Sequence, residues 1–203
     1  KVALACVGWP YIFGDRGQYC TPAHRRAAYA SKGDAHPTIK TKCKNFQGTG
    51  SCSGCKYYPD DQYVLMFDCI GFVNKLLDYA GVYHYGGGCS TMWNHAANWD
   101  QKGKLKDMPE TVCCVFQQYP GNDKKMQHIG LYIGDGWVIH CSVEVKKQRL
   151  SDYPWTHYGI PKGMGGDVPV SHKTIKRGST GPDVVECQED LIKLGYDLSE
   201  EDG

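Results

Sequence analysis

Cys69 stands where a thiol can be made reactive. It follows Asp68 in "FDCIGFVNKLLDYAG" (residues 67–81), where Ile70, Phe72, Val73, Leu76, Leu77 and Ala80 recur at the spacing of one helical face and Gly81 supplies a stop. The pattern predicts a helix that opens at Cys69 with Asp68 as its N-cap. The unpaired N–H groups and positive dipole end of such a helix stabilise a thiolate, which is the nucleophilic form of cysteine. An isolated cysteine is more often a small buried residue, so the sequence must also supply a base.

His128 and His140, two of eight histidines, lie in "QHIGLYIGDGWVIHCS" (residues 127–142), a predicted hairpin. If its turn were the two-residue Asp135-Gly136, His140 would face Leu131 and the imidazoles would point to opposite sides of the sheet. With a three-residue loop, Gly134 to Gly136, and a left-handed Gly136, His140 faces Gly130 and His128 lies one diagonal step away on the same face. Only the second register builds a site, and Gly130 leaves room for both rings. Cys69, His128 and His140 then form a nucleophile, a base and an orienter for acyl transfer to sulfur followed by hydrolysis, with helix amides facing the oxyanion. The alternative for either histidine is a hydrogen-bonded sheet residue.

These side chains need a helix packed on a sheet. The segments "TVCCVFQQY", "QHIGLYIG" and "GWVIHCSVEV" are rich in β-branched and aromatic residues with turn signals between them, and their short links call for an antiparallel sheet. Residues 19 to about 63 form a polar insertion whose one helical pattern is "HRRAAYASKGDAH", expected as an excursion on the surface. After Pro161 a Gly/Pro-containing linker leads to "IKRGSTGPDVVECQEDLIKLGYDL", in which Val184, Val185, Gln188, Leu191 and Ile192 trace a single apolar helical stripe.

With 203 residues, 41% of them hydrophobic, the chain can fill one main core, and its net charge of +1 lacks the basic surface that nucleic acid or an anionic membrane would attract. Its longest apolar runs are strand-sized, so no spanning helix is expected, and the start lacks a basic leader. The chain reads as a soluble piece of a longer precursor. Eleven cysteines in so core-rich a chain favour free thiols over staples, with Cys6, Cys89, Cys113, Cys114, Cys141 and Cys187 expected as small buried residues. Cys43, Cys52 and Cys55, with Cys20, His24 or His36 as a fourth ligand, have part of the spacing of a structural zinc site; a local disulfide or an exposed loop with reactive thiols competes with that reading. No cofactor is needed for catalysis.

In order and spacing, "PYIFG", "FDCIGFVNKLL" and "QHIGLYIGDGWVIHCS" resemble the NlpC/P60 cysteine peptidases. The resemblance spans residues 1 to about 160 and implies a papain-like α+β fold, peptidoglycan as substrate, Cys69 as nucleophile, His128 as base and His140 as third polar residue. It also implies that Tyr11 lines the site and that Asp68 faces the substrate pocket. Members that recognise a free N-terminal L-Ala usually carry Ser after the nucleophile. Here that residue is Ile70, which favours cleavage of intact stem peptides at the γ-D-glutamyl to diamino acid bond. The insertion is similar to a branch from Firmicutes and their phages, with "TPAHRRAAYASKGDAHP" bordering the cleft and "DYPWTHYGIP" as closing strand. The tail resembles the opening of a peptidoglycan-binding repeat. The expected organisation is a peptidase domain over 1–162, a linker over 163–173 and part of that repeat over 174–203. The implied setting is the cell wall or outside the cell, reached by a phage endolysin through release from the cytoplasm. An N-acetylmuramoyl-L-alanine amidase or other thiol acyl-transfer enzyme, and a non-catalytic wall-binding protein, are the competing functions.

Overall fold

The computed structural model describes residues 1–32, 52–59 and 62–164, together with Gln188 and Ile192. His36, Cys43, Cys187, nearly all of the expected linker and the tail's Val184, Val185 and Leu191 lie outside the described residues.

Two short helices, α1 (Val2–Ala5) and α2 (Pro22–Lys32), flank strand β1 (Arg16–Tyr19). Strand β2 (Leu65–Phe67) runs into the central helix α3 (Cys69–Tyr79), and α4 (Cys89–Asn94) follows. Six strands come next: β3 (Trp99–Lys104), β4 (Cys113–Gln118), β5 (Met126–Tyr132), β6 (Trp137–Cys141), β7 (Val145–Arg149) and β8 (His157–Pro161). They form one antiparallel sheet in the order β3-β8-β4-β5-β6-β7, while β1 and β2 pair separately. No described helix is long and apolar enough to cross a membrane.

Helix α3 forms where the apolar spacing predicts it. Asp68 caps it by accepting the Gly71 N–H at 2.6 Å. At the other end Gly81 is left-handed (φ +66°), and the bonds Gly81 N–H to Asp78 O and Val82 N–H to Leu77 O close the last turn as a Schellman motif. Ile70, Phe72, Val73, Leu76 and Leu77 are buried as expected, whereas Ala80 is exposed because it already serves as the cap where the chain turns away. Burying Phe72, Val73 and Leu77 stabilises the helix by about 1.5–3 kcal/mol each relative to leaving them exposed. The helix packs on β1, β5 and β6.

The N-terminal segment stitches the two sheets together. Gly8 N–H and Val145 N–H bond the Val145 and Trp9 carbonyls, while Ile12 N–H and Phe67 N–H bond the Phe67 and Pro10 carbonyls. Tyr11 is thereby fixed beside Phe67, two residues from Cys69. The run "GWVIHCSVEV", read as one piece, folds as two strands: Ser142 N–H bonds Glu144 O and the chain reverses, so that Cys141 pairs with Val145. The segment "DYPWTHYGIP" does supply a strand, but β8 lies inside the sheet between β3 and β4. Helix α2 starts two residues before the predicted helical pattern, at Pro22, and runs through its described part to Lys32. The insertion is not wholly a surface excursion, since Cys52 and Tyr57 are buried and Tyr57 joins the main core.

Helix α3 can sit this close to the rest only because residue 71 is glycine. A Cβ there would lie 2.2 Å from the Asp15 carbonyl oxygen, whose partner is the Asp68 N–H. Backbone cannot yield as a flexible side chain would, so Gly71→Ala should destabilise the protein by about 2–3 kcal/mol, in the range of core overpacking. A lower urea midpoint with an unchanged slope is the expected result of equilibrium unfolding.

Candidate active site

Cys69 is the first residue of α3 and half-buried. The loop before it is held by Asp68, whose two carboxylate oxygens accept the N–H groups of Gly71 and, at 3.0 Å, Gly14. Asp68 is therefore a helix cap and a tether to the "PYIFG" segment, buried and with both oxygens committed to backbone. Burial raises its pKa, the two backbone bonds oppose this, and the Cys69 charge adds to the rise. Tyr11 is half-buried beside the thiol, and burial, then the negative charges of Cys69 and Asp68, push its hydroxyl well above the usual range.

The β5–β6 hairpin adopts the three-residue register. Leu131 pairs with Ile139 and Tyr132 with Val138, which sets Gly130 opposite His140. Gly134, Asp135 and Gly136 all have positive φ (90°, 52° and 71°), and the Trp137 N–H bonds Gly134 O at 3.0 Å. The Asp135-Gly136 pair thus makes the tight turn that its sequence favours, and Gly134 is the extra residue that shifts the register. A Cβ on Gly130 would come within 2.7 Å of Val138 and 3.1 Å of the His140 Cβ. In this register His128 Nε2 and His140 Nδ1 are 2.8 Å apart.

Bond partners fix the protons. Gln148 Nε2 donates to the Asp152 carbonyl at 2.9 Å, which turns its Oε1 toward His140 Nε2 at 3.0 Å. An amide oxygen only accepts, so His140 carries its proton on Nε2 and its Nδ1 accepts from His128 Nε2–H. The nitrogen of His128 left for the thiol is Nδ1. Burial lowers the His140 pKa to about 4, so this ring is neutral near pH 7. Trp155 stacks on His128 (16° between planes, 5.4 Å between centroids), and Tyr153 lies about as close to both imidazoles, 5.1 and 5.0 Å away, so the pair is walled by aromatic rings.

A second sulfur lies at the site. Cys89 Sγ is 3.6 Å from Cys69 Sγ. Cys89 is buried as expected, but it is more than filler: its S–H is the chief influence lowering the Cys69 pKa, ahead of the His128 hydrogen bond and the Ile70 N–H, all acting against burial. The Cys89 thiol is raised correspondingly. The sequence holds a signal for it, since Cys89 follows a glycine run and opens a helix, as Cys69 follows Asp68 and opens another. Gln148 carries no such signal and is recognised only through its partners.

Two of the six residues in the zinc reading, Cys43 and His36, lie outside the described residues. Cys52 and Cys55 are free thiols. His24 Nε2 is bonded to both Asp15 carboxylate oxygens, and Cys20 Sγ accepts from Arg25 Nε. Among the described residues no three His, Cys, Asp or Glu side chains cluster as a metal site.

The family model for NlpC/P60 matches residues 48–160, more than half of the chain. The protein belongs to the NlpC/P60 family. The matched interval holds Cys69, His128, His140 and Gln148, while Tyr11 lies before it. A papain-like α+β fold, with the cysteine at a helix N-terminus packed on an antiparallel sheet that carries the histidines, is what the NlpC/P60 chain displays. Among solved structures, NlpC1 from Trichomonas vaginalis is 16% identical with a TM-score of 0.44, the match covering 78% of this chain and 41% of that one. NlpC2 from Trichomonas vaginalis is 15% identical with a TM-score of 0.44, covering 79% and 44% respectively. The chain therefore spans less than half the length of either. No curated protein matches.

The lowered thiol can be checked without a substrate. Iodoacetamide should label Cys69 at pH values too acidic for an ordinary thiol, whereas Cys113, Cys114 and Cys141, all raised by burial, should stay unlabelled. Cys89→Ala should move the midpoint of Cys69 labelling, read by peptide mass spectrometry, toward higher pH.

Proposed function

We propose that the protein is a cysteine peptidase that cleaves peptidoglycan stem peptides. The observation that carries this reading is a thiol at the N-terminus of α3 facing a hydrogen-bonded pair of imidazoles. Cys69 is the nucleophile, His128 the general base and acid, and His140 the group that orients His128.

In this mechanism the Cys69 thiol proton passes to His128 Nδ1, giving a thiolate beside an imidazolium. The sulfur attacks the scissile carbonyl, and the first amides of α3 face the oxygen that becomes negative. Collapse breaks the C–N bond as His128 Nδ1–H protonates the leaving amine, which leaves a thioester on Cys69. Water then attacks the thioester, its proton going to His128, and the carboxylic acid departs as the thiolate is restored. His140 holds the Nε2–H of His128 throughout, so the nitrogen that moves protons is always Nδ1.

The γ-D-glutamyl to diamino acid bond is the preferred scissile bond within this proposal. Ile70, directly after the nucleophile, is buried in the main core and offers no polar group to a free substrate amine. Asp68 has both oxygens occupied by backbone N–H groups and serves the pocket by fixing the loop that carries Cys69. An amidase would use the same three residues and differ only in the bond broken. The tail over 174–203 belongs to the proposal as the first part of a wall-binding repeat, with action at the cell wall, either of a host enzyme or of a phage endolysin.

Cys69→Ala should abolish lysis of purified cell walls while circular dichroism stays that of the wild type; retained lysis would remove the mechanism. Mass spectrometry of products from defined muropeptides names the bond. A new amine on the diamino acid is expected, and a new amine on L-Ala would assign an amidase instead.

A further inference from the structure

We infer that Gln148 is a fourth member of the site, a positioning residue that holds His140 in the one tautomer able to orient His128. The inference rests on the reading of Cys69 and His128 given above and extends it by one residue. The argument is one of donors and acceptors. His140 must present a bare Nδ1 to the Nε2–H of His128, 2.8 Å away. Neutral imidazole in water exchanges freely between its two tautomers, and the wrong one would set N–H against N–H. Gln148 Oε1, 3.0 Å from His140 Nε2, is satisfied only if that nitrogen carries the proton. Its own amide cannot flip without cost, because Nε2 is bonded to the Asp152 carbonyl at 2.9 Å. The Asp152 backbone carbonyl, in the turn after β7, thus determines, through Gln148 and His140, which nitrogen of His128 faces the thiol.

The architecture makes the contact rigid. His140 on β6 pairs with Lys146, and Val138 with Gln148, so Gln148 stands one diagonal step from His140 across the β6–β7 pair. The titratable and charged groups acting on His140 are His128 from β5 and Lys146 from β7, both of which disfavour a charge on it, and the Tyr153 ring lies 5.0 Å away. Gln148 adds an acceptor without adding a charge. A carboxylate in its place would also accept from Nε2–H, but would favour the imidazolium, which has no lone pair left for His128.

Three variants separate these roles: Gln148→Met, which keeps the bulk and removes the acceptor, Gln148→Ala, and Gln148→Glu. Two readouts are taken on each, the 15N chemical shifts of the His140 ring and the kcat and KM for a defined muropeptide. In the wild type His140 should be in the Nε2–H tautomer. Gln148→Met and Gln148→Ala should give mixed tautomers and a kcat lower by about 10–100-fold, the cost seen when metal-bound imidazoles lose the partner that orients them, with KM little changed. Gln148→Glu should keep the Nε2–H tautomer and its activity at alkaline pH, while the acid limb of the kcat profile moves to higher pH. A pure Nε2–H tautomer or wild-type kcat in Gln148→Met would overturn the inference. Cys69→Ala run alongside keeps the two readings apart: activity in that variant removes the nucleophile assignment, whereas an inactive Cys69→Ala beside a fully active Gln148→Met removes Gln148 alone. The tautomer measurement needs no activity and decides the Gln148 contact in either case.

Discussion

The register of the β5–β6 hairpin is the constraint on which the rest depends. Side chains alternate across a strand, so a slip of one residue would carry His140 to the opposite face and leave His128 without a partner. Four residues set the correct alignment. Asp135 and Gly136 make the reversal with positive φ, Gly134 absorbs one residue, and Gly130 leaves the space that the His140 Cβ and the Val138 side chain fill. The loop is held from outside as well, by Glu110 accepting the Asp135 N–H at 3.0 Å and by Arg149 donating to the Asp135 carbonyl at 2.9 Å. A turn remote from the thiol thereby decides whether two imidazoles can meet.

A second constraint brings the thiol to those imidazoles. Helix α3 packs on β5 and β6, and its N-terminus is tied to the "PYIFG" segment through Asp68 and through the contact of Gly71 with the Asp15 backbone. The residues just before it, Gly8 and Trp9, bond to β7 at Val145. The sheet edge, the N-terminal segment and the helix start therefore form one hydrogen-bonded frame. Within it the site separates its charges: Cys69 is stabilised as a thiolate by Cys89, His128 and the Ile70 N–H, while burial keeps His140 uncharged. A negative sulfur beside a neutral His140 ring suits the proposed exchange of protons through His128.

Much of this was legible in the order of residues, because it depends on local rules. The span of α3, its Asp68 cap and its Gly81 stop follow from helical periodicity and capping, and the hairpin follows from β-rich runs around Gly-Asp-Gly. Periodicity alone could not find β3, whose polar "WDQKGK" residues are mostly exposed; it is a strand because it pairs with β8. Nor could it show that "GWVIHCSVEV" reverses at Ser142, since β-propensity is equally high on both sides of that turn. Ala80 fits the apolar spacing of α3 yet is exposed, because spacing does not say where the helix axis ends.

By itself the sequence determined a helix-borne thiol, two histidines on one hairpin and the family to which both belong, since each is written in contiguous residues. Only the tertiary structure decided between the two hairpin registers, brought Cys89 within 3.6 Å of Cys69 across a separation of twenty residues, and set Gln148 against His140 with its amide locked by Asp152. The division has a physical reason. Helix caps and turns depend on near neighbours in the chain, whereas a thiolate's stability and an imidazole's tautomer depend on which donors and acceptors the fold leaves within about 3–4 Å, whatever their distance along the sequence.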